Sequence, residues 1–214
     1  MAHAVQNAFE PRKTPVQARS TVTVEAISEA TIQVLLSHGT DRLTTTRVAE
    51  RAGVSVGTLY QYYPNKQSLL FAVLEDHLDK VSAAVEAACE HARHKPSAEM
   101  VKEVVEAFVD AKMQRTDLST ALYRIAAELG GPVQVRRTSQ RSLKALEEML
   151  RTAPDAGLHQ EKFAIQMMFA AMAGATRSVL EAGASPAMVR KVRDHLVLLC
   201  QSYMVAVAKP HPLR

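Results

Sequence analysis

Residues 44–70, TTTRVAERAGVSVGTLYQYYPNKQSLL, constrain this chain more than any other stretch. Thr44 offers a capping hydroxyl ahead of Thr45 to Ala52, where Val48, Ala49 and Ala52 fall on one side at helical spacing. Gly53 stops that helix because glycine tolerates the left-handed backbone of a helix end. Val54 plugs the corner and Ser55 caps the next helix, so two short helices are predicted to meet at a tight turn.

In the second of these helices Val56, Leu59 and Tyr63 recur at i, i+3 and i+7 and share the inward face. Gly57, Thr58 and Gln61 point outward. A helix shaped only for stability would carry Glu, Lys and Ala there. A Gly-Thr edge flanked by Tyr60 and Tyr62 instead allows close approach to another body, as a DNA groove requires.

The run Ala52-Gly53-Val54-Ser55-x-Gly57-Thr58-Leu59-Tyr60, with Thr45, Val48, Ala49, Tyr62, Tyr63, Lys66 and Leu69 around it, resembles the tetracycline-repressor (TetR) family of transcriptional regulators. Counting the preceding helix, the resemblance covers about a quarter of the chain. It implies an all-α fold of nine helices, with a three-helix DNA-binding head and a helical body for ligand binding and dimerisation. It also places Thr45, Thr46, Val56, Gly57, Thr58, Tyr60, Tyr62 and Lys66 at the family's DNA-contact positions.

Side-chain chemistry assigns roles within that set. Thr45, Thr46, Thr58, Tyr60 and Tyr62 can donate hydroxyl hydrogen bonds to phosphate, while Arg47 and Lys66 can neutralise it. Gln61 suits an adenine edge, and Val56 and Tyr60 suit a thymine methyl. Ser55 completes the predicted DNA-binding set as the cap of the reader helix. Tyr63 shares a face with Leu59 and is expected to be core.

Charge alone would not identify a nucleic-acid binder. The 214 residues carry a formal +4, and the first 66 hold seven Lys/Arg against five Asp/Glu, a net +2. Cys89 and Cys200 lie too far apart in sequence to suggest a disulfide framework or zinc knuckle, which points to a reducing cytoplasm. The uncharged stretches 163–176 and 196–208 are shorter than a bilayer-spanning helix needs, so no membrane association is expected.

Three regions are predicted: a flexible basic arm over 1–20, a helix-turn-helix domain over 21–64 and a helical body over 65–214. The arm, with Arg12, Lys13 and Arg19, either lies along DNA or is a plain tail. Val24, Ile27, Thr31, Val34 and Leu35 mark the head's first helix, which Gly39 closes. Pro64 ends the reader, Asn65 caps a long helix to about His91, and further helices are expected near 97–114, 117–129, 132–152, 160–182 and 186–207. No strand-length alternation occurs.

In the body, His77 lies on the apolar face of the long helix, and Tyr123, Arg124 and Glu128 offer a hydroxyl and an i, i+4 ion pair. With Phe108, Met113, Met167 and Met168 these residues are candidates for a largely apolar small-molecule pocket, since thioethers repack readily, although each also suits an ordinary core. Ala170 with Gly174 and Ala171 with Ala175 let another helix approach closely, and Leu196, Leu199 and Tyr203 face them from the last helix. By the resemblance, these form a homodimer interface; an internal helix pair would use the same residues. Cys89, His91 and His94 have the wrong helical phase for a metal cluster, and no catalytic set or cofactor-binding motif is present. The expected function is a ligand-responsive DNA-binding regulator, most often a repressor, on a palindromic operator. An all-α carrier or protein-interaction module with no operator is the alternative.

Overall fold

The computed structural model describes residues 18–128, 131–155 and 162–208, which form nine helices and, among the described residues, no strand. They are α1 (Ala18–Arg42), α2 (Thr45–Ala52), α3 (Val56–Tyr62), α4 (Lys66–Ala92), α5 (Ser97–Met113), α6 (Thr116–Glu128), α7 (Gly131–Leu150), α8 (Lys162–Glu181) and α9 (Pro186–Ala208). This is the all-α architecture expected from the sequence. Residues 1–17 of the expected arm, with Arg12 and Lys13, lie outside the described residues, as do the side chains of Arg19 and Glu128, whereas residues 18–20, expected in the arm, are the first turn of α1.

Helix breaks fall where the backbone chemistry requires them. Gly39 interrupts α1 with φ 73° and ψ 175°, yet the chain resumes one more turn to Arg42, four residues beyond the expected end. At the start of α4, the Asn65 side chain accepts from the Ser68 amide at 2.8 Å, and the Ser68 hydroxyl accepts from the Asn65 amide at 3.3 Å. This reciprocal pair satisfies two donors that the first turn leaves open.

The chain divides into two compact units. One comprises the residues up to His77 together with a segment beginning at Ala121 in α6, and the other comprises Leu78–Thr120 and the chain from Val133 onward. The first unit has a small core in which Ile27, Val34 and Leu35 of α1 are buried with Val48, Ala49, Leu59, Tyr63 and Leu74. Within it α1 packs on α2, and α2 on α3.

The second unit is organised around α5, α8 and α9, which pack on one another. Its core includes Val85, Val104, Phe108, Met149, Met168, Met172 and Met204, and the Phe108 and Phe169 rings meet edge to face at 5.7 Å. Helix α8 is long and apolar enough by composition to cross a membrane, with a window of mean hydropathy 1.3, so the expectation that this segment is too short was drawn too narrowly. Ala164, Ile165, Met168, Met172, Thr176 and Leu180 are buried along one side against the core, and the other positions are half-buried or exposed.

Two joints in the second unit are polar. Between α4 and α7, Ser82 and Ser142 hydroxyls lie 3.1 Å apart in a buried setting, and Arg141 pairs with both Asp79 and Glu86. After α7, Thr152 accepts from the His94 amide at 2.9 Å, and Asp155 accepts from the Ser97 amide at 3.0 Å and from its hydroxyl. Pro96, the N-cap of α5, supplies no side-chain cap, so Asp155 caps that helix from a distant loop.

Desolvation pushes the Asp155 carboxyl up, but the hydroxyl and amide hydrogen bonds from Ser97 outweigh it and leave the group below its ordinary value. A depressed carboxyl contributes stability that is complete above the unfolded-chain value, about 3.9, and is lost as pH falls through the lower folded value. Urea unfolding midpoints measured from neutral pH into this acid range should decline less steeply in Asp155→Asn than in the wild type.

Candidate nucleic-acid interface

The reader corner is built by three local devices. Thr44, with extended backbone, accepts the Arg47 amide at 3.3 Å and starts α2. Gly53, at φ 68° and ψ 28°, ends α2 in the left-handed conformation, and the Val54 amide reaches back to the Ala49 carbonyl at 3.0 Å. Ser55 then accepts the Thr58 amide at 3.0 Å and starts α3. A β-carbon at position 53 would meet no neighbour, so backbone conformation and not space selects glycine there.

Leu59 and Tyr63 are buried, as their shared face predicts, while Val56 is half-buried. Burial is the first cause that raises the Tyr63 phenol above its ordinary value, with Asp76 adding to it, so this hydroxyl stays protonated. The opposite surface is formed by the predicted DNA-binding residues. Thr46, Arg47, Ser55, Gly57, Tyr60 and Gln61 are exposed, and Thr45, Thr58, Tyr62 and Lys66 are half-buried. Tyr60 retains 43% of its surface, and its Oη lies 3.1 Å from Thr45 Oγ1 on the neighbouring helix.

The two cations have partners that sequence reasoning missed. Arg47 Nη1 donates to the Arg42 carbonyl at 2.7 Å, and Lys66 Nζ donates to the Thr40 carbonyl. Both carbonyls belong to the final turn of α1, the negative end of its dipole, which attracts cations. Gly39 is expected from the sequence to close this helix, so the carbonyls of the extra turn are not among the candidates read there. On the outer side, Arg51 donates to Gln33 at 2.6 Å and ties α2 to α1.

The predicted small-molecule residues divide between the units. His77, Tyr123 and Arg124 fall in the first; Phe108, Met113, Met167 and Met168 fall in the second. Phe108 and Met168 are core residues, Met113 packs against that core, and Met167 is 46% exposed. A cleft of ≈ 310 Å³ in the second unit contains none of the seven and is lined by Glu86, Cys89, Glu90, Arg93, Arg141, Lys144, Ala145 and Glu148. Burial pushes the Cys89 thiol up to about 12 and the Cys200 thiol up to about 11, so neither is a ready nucleophile. Among the described residues no group of three or more His, Cys, Asp or Glu is placed to hold a metal ion.

On α8 and α9, Ala170 and Gly174 are exposed, Ala171 and Ala175 are half-buried, and Leu199 is 52% exposed. Leu196 differs from expectation: it is buried in the unit's own core, and Leu198, 62% exposed, lies on the open side of α9 instead. Residues two apart on a helix face directions about 200° apart, so the two cannot share a face. Tyr203 is half-buried against the core.

Residues 27–73 match the family model of bacterial regulatory proteins of the tetR family, and residues 96–204, half of the chain, match that of the tetracyclin repressor-like C-terminal domain. The chain belongs to the TetR family. It is a DNA-binding transcriptional regulator by that membership, and its reader corner is the family's DNA-binding domain. It is 37% identical over 62 residues to the HTH-type transcriptional repressor KstR of Mycolicibacterium smegmatis, a match covering 29% of this chain and 30% of the relative. The chain thus spans under a third of the curated relative it matches. Solved structures share the fold over much more: a TetR-family regulator of Mesorhizobium loti has TM-score 0.71 at 16% identity, covering 89% of this chain and 98% of that one. The FadR regulator of Bacillus subtilis, in complex with stearoyl-CoA, has TM-score 0.65 at 18% identity, covering 84% and 98%.

The engagement of Lys66 with Thr40 gives it a structural task besides any phosphate contact. Lys66→Met should lower the urea-unfolding free energy by about 1–2 kcal/mol, because the carbonyl loses a charged donor. The same variant should reduce the salt slope of DNA binding by about one. A residue serving only phosphate would change the second quantity and leave the first alone.

Proposed function

We infer that this regulator acts as a repressor: a twofold homodimer sets two reader helices on a palindromic operator and releases it when a small molecule binds the body. The observation that carries the reading is the solvent-facing side of the short helix α3, where Tyr60 and Gln61 are exposed and Thr58 and Tyr62 half-exposed, so that hydroxyl and amide groups line its outer surface. The functional division is a head over 21–64 and a body over 65–214, with the arm 1–20 ahead of the head. The repressor similarity of the head supports the sign of regulation.

The dimer reading rests on an open apolar face. Phe163 and Met167, 67% and 46% exposed, continue into Ala170 and Gly174 along α8 at i, i+4, i+7 and i+11, and Leu198, Leu199 and Val205 are exposed on α9. Exposed apolar side chains of this size in one region are what an interface between copies covers. Leu198→Glu combined with Met167→Glu should convert a dimer to a folded monomer in analytical ultracentrifugation. Unchanged sedimentation would place the interface elsewhere.

The stearoyl-CoA complex of the FadR structure supports a largely apolar effector for a body of this fold. Effector release requires the molecule to favour one conformation over the other, whatever its absolute affinity. Regulation of this kind places the protein in the cytoplasm and assigns it no catalytic step. Titration against DNA from immediately upstream of its own gene and against scrambled DNA, each at two salt concentrations, should yield saturable binding to the first that outlasts the second as salt rises. Equal loss of both would count against an operator at that location.

A further inference from the structure

We propose that Thr45 and Tyr60 act on DNA as one unit, with Thr45 positioning the Tyr60 hydroxyl to donate to a single backbone phosphate. The inference rests on the DNA-binding reading and gives Thr45 a different role from that of an independent phosphate contact.

The two oxygens come from different helices, Thr45 at the first position of α2 and Tyr60 in the second turn of α3, and lie 3.1 Å apart. At that distance one hydroxyl proton is used inside the pair. Two hydroxyls therefore present one outward donor, not two. The phenol is the stronger acid of the pair and a phosphate oxygen is a stronger acceptor than either hydroxyl. The favoured partition has Thr45 donating to Tyr60 Oη and the phenolic proton directed to phosphate. Donation into the phenol oxygen also polarises its O–H, which strengthens the outward bond.

The surroundings suit this arrangement. Tyr60 is 43% exposed, so an unassisted side chain would sample several directions, and the threonine restricts that choice before DNA arrives. The neighbouring capping work is done by other groups: Thr44 accepts the Arg47 amide and Ser55 accepts the Thr58 amide. The Thr45 side chain is therefore separable from helix initiation. Tyr63, three residues beyond Tyr60, is buried and unsuited to the task.

The test is a double-mutant cycle in the full-length protein, read by fluorescence anisotropy on a random-sequence duplex, because phosphate contacts do not depend on sequence. Thermal unfolding checks that each variant folds. Tyr60→Phe and Thr45→Val should each weaken binding by about tenfold, the scale of a hydrogen bond to a charged group. The double variant should lose about the same tenfold and no more. Thr45→Ser, which keeps the donor, should stay within about twofold of wild type, and the salt slope should be unchanged in all four because no cation is removed.

A double variant weakened by the product of the two single losses would mean two separate phosphate contacts and overturn the pairing. So would Thr45→Val binding like wild type, Tyr60→Phe binding like wild type, or Thr45→Ser failing as badly as Thr45→Val. A wild-type protein with no salt-sensitive affinity for any duplex would remove the DNA-binding reading itself, and the pairing with it.

Discussion

The reader corner depends on the burial of Leu59 and Tyr63. A helix of seven residues and another of eight have no independent stability in water, because nucleation costs more than so few hydrogen bonds return. They persist in this protein because Val48, Ala49, Leu59 and Tyr63 are removed from water within the core that α1 and the start of α4 complete. Once that core fixes α3, its outward positions no longer need helix-favouring residues. Gly57 and Thr58 are weak helix formers on a helix that can tolerate them, and a flat, hydroxyl-bearing edge results.

The second unit is held by two kinds of contact. Helices α5, α8 and α9 meet through Phe108, Met168, Met172, Cys200 and Met204, a dry and interdigitated set, with the Gln201 amide on the Ala98 carbonyl at 2.7 Å and Arg193 paired to Asp110 at the edges. Helices α4 and α7 join that same core through Val85, Cys89, Leu146 and Met149 and add a seam of serines flanked by exposed ion pairs of Arg141 with Asp79 and Glu86. Exposed pairs contribute about 0–1 kcal/mol each and weaken as salt rises, whereas a buried Met or Phe contributes about 1.5–3 kcal/mol and is not screened by salt. The apolar core therefore carries most of the hold at both places, and the Arg141 pairs add a salt-sensitive increment at the α4–α7 seam.

Helix number and breakpoints were legible in the sequence because they follow from local chemistry. Gly53, Pro64, Pro96 and the pair Gly183 and Pro186 act on their own backbone whatever surrounds them. What faces what was less legible. Met167 and Met168 are adjacent, and adjacent helical side chains diverge by about 100°, so one is buried and its neighbour exposed where composition suggested a shared pocket. In α9 the run Leu196 to Leu199 is apolar at every position, so periodicity selects no face, and only packing on α5 and α8 settles that Leu196 turns inward and Leu198 outward. The carbonyl partners of Arg47 and Lys66 depend on where the end of α1 lies in space, which no local pattern encodes.

Those two partners bear on how a mildly basic head can hold DNA. With a net charge of only +2 over residues 1–66, the head has little net positive charge to offer, and its two reader-side cations are also held in place by main-chain carbonyls. It has hydroxyls instead: Thr44, Thr45, Thr46, Ser55, Thr58, Tyr60 and Tyr62 lie within nineteen residues, and Thr44 and Ser55 are already engaged as caps. Charge neutralisation releases counterions and is lost with salt, whereas a neutral hydroxyl donating to phosphate releases none and keeps its strength. Hydroxyl contacts are also directional, so they reward one register of the helix on the duplex where a mobile lysine would accept many. On the proposed reading, a head built this way would gain its grip from geometry. For that reason the position of one tyrosine oxygen, fixed 3.1 Å from a threonine on the next helix, carries more consequence than another surface cation would.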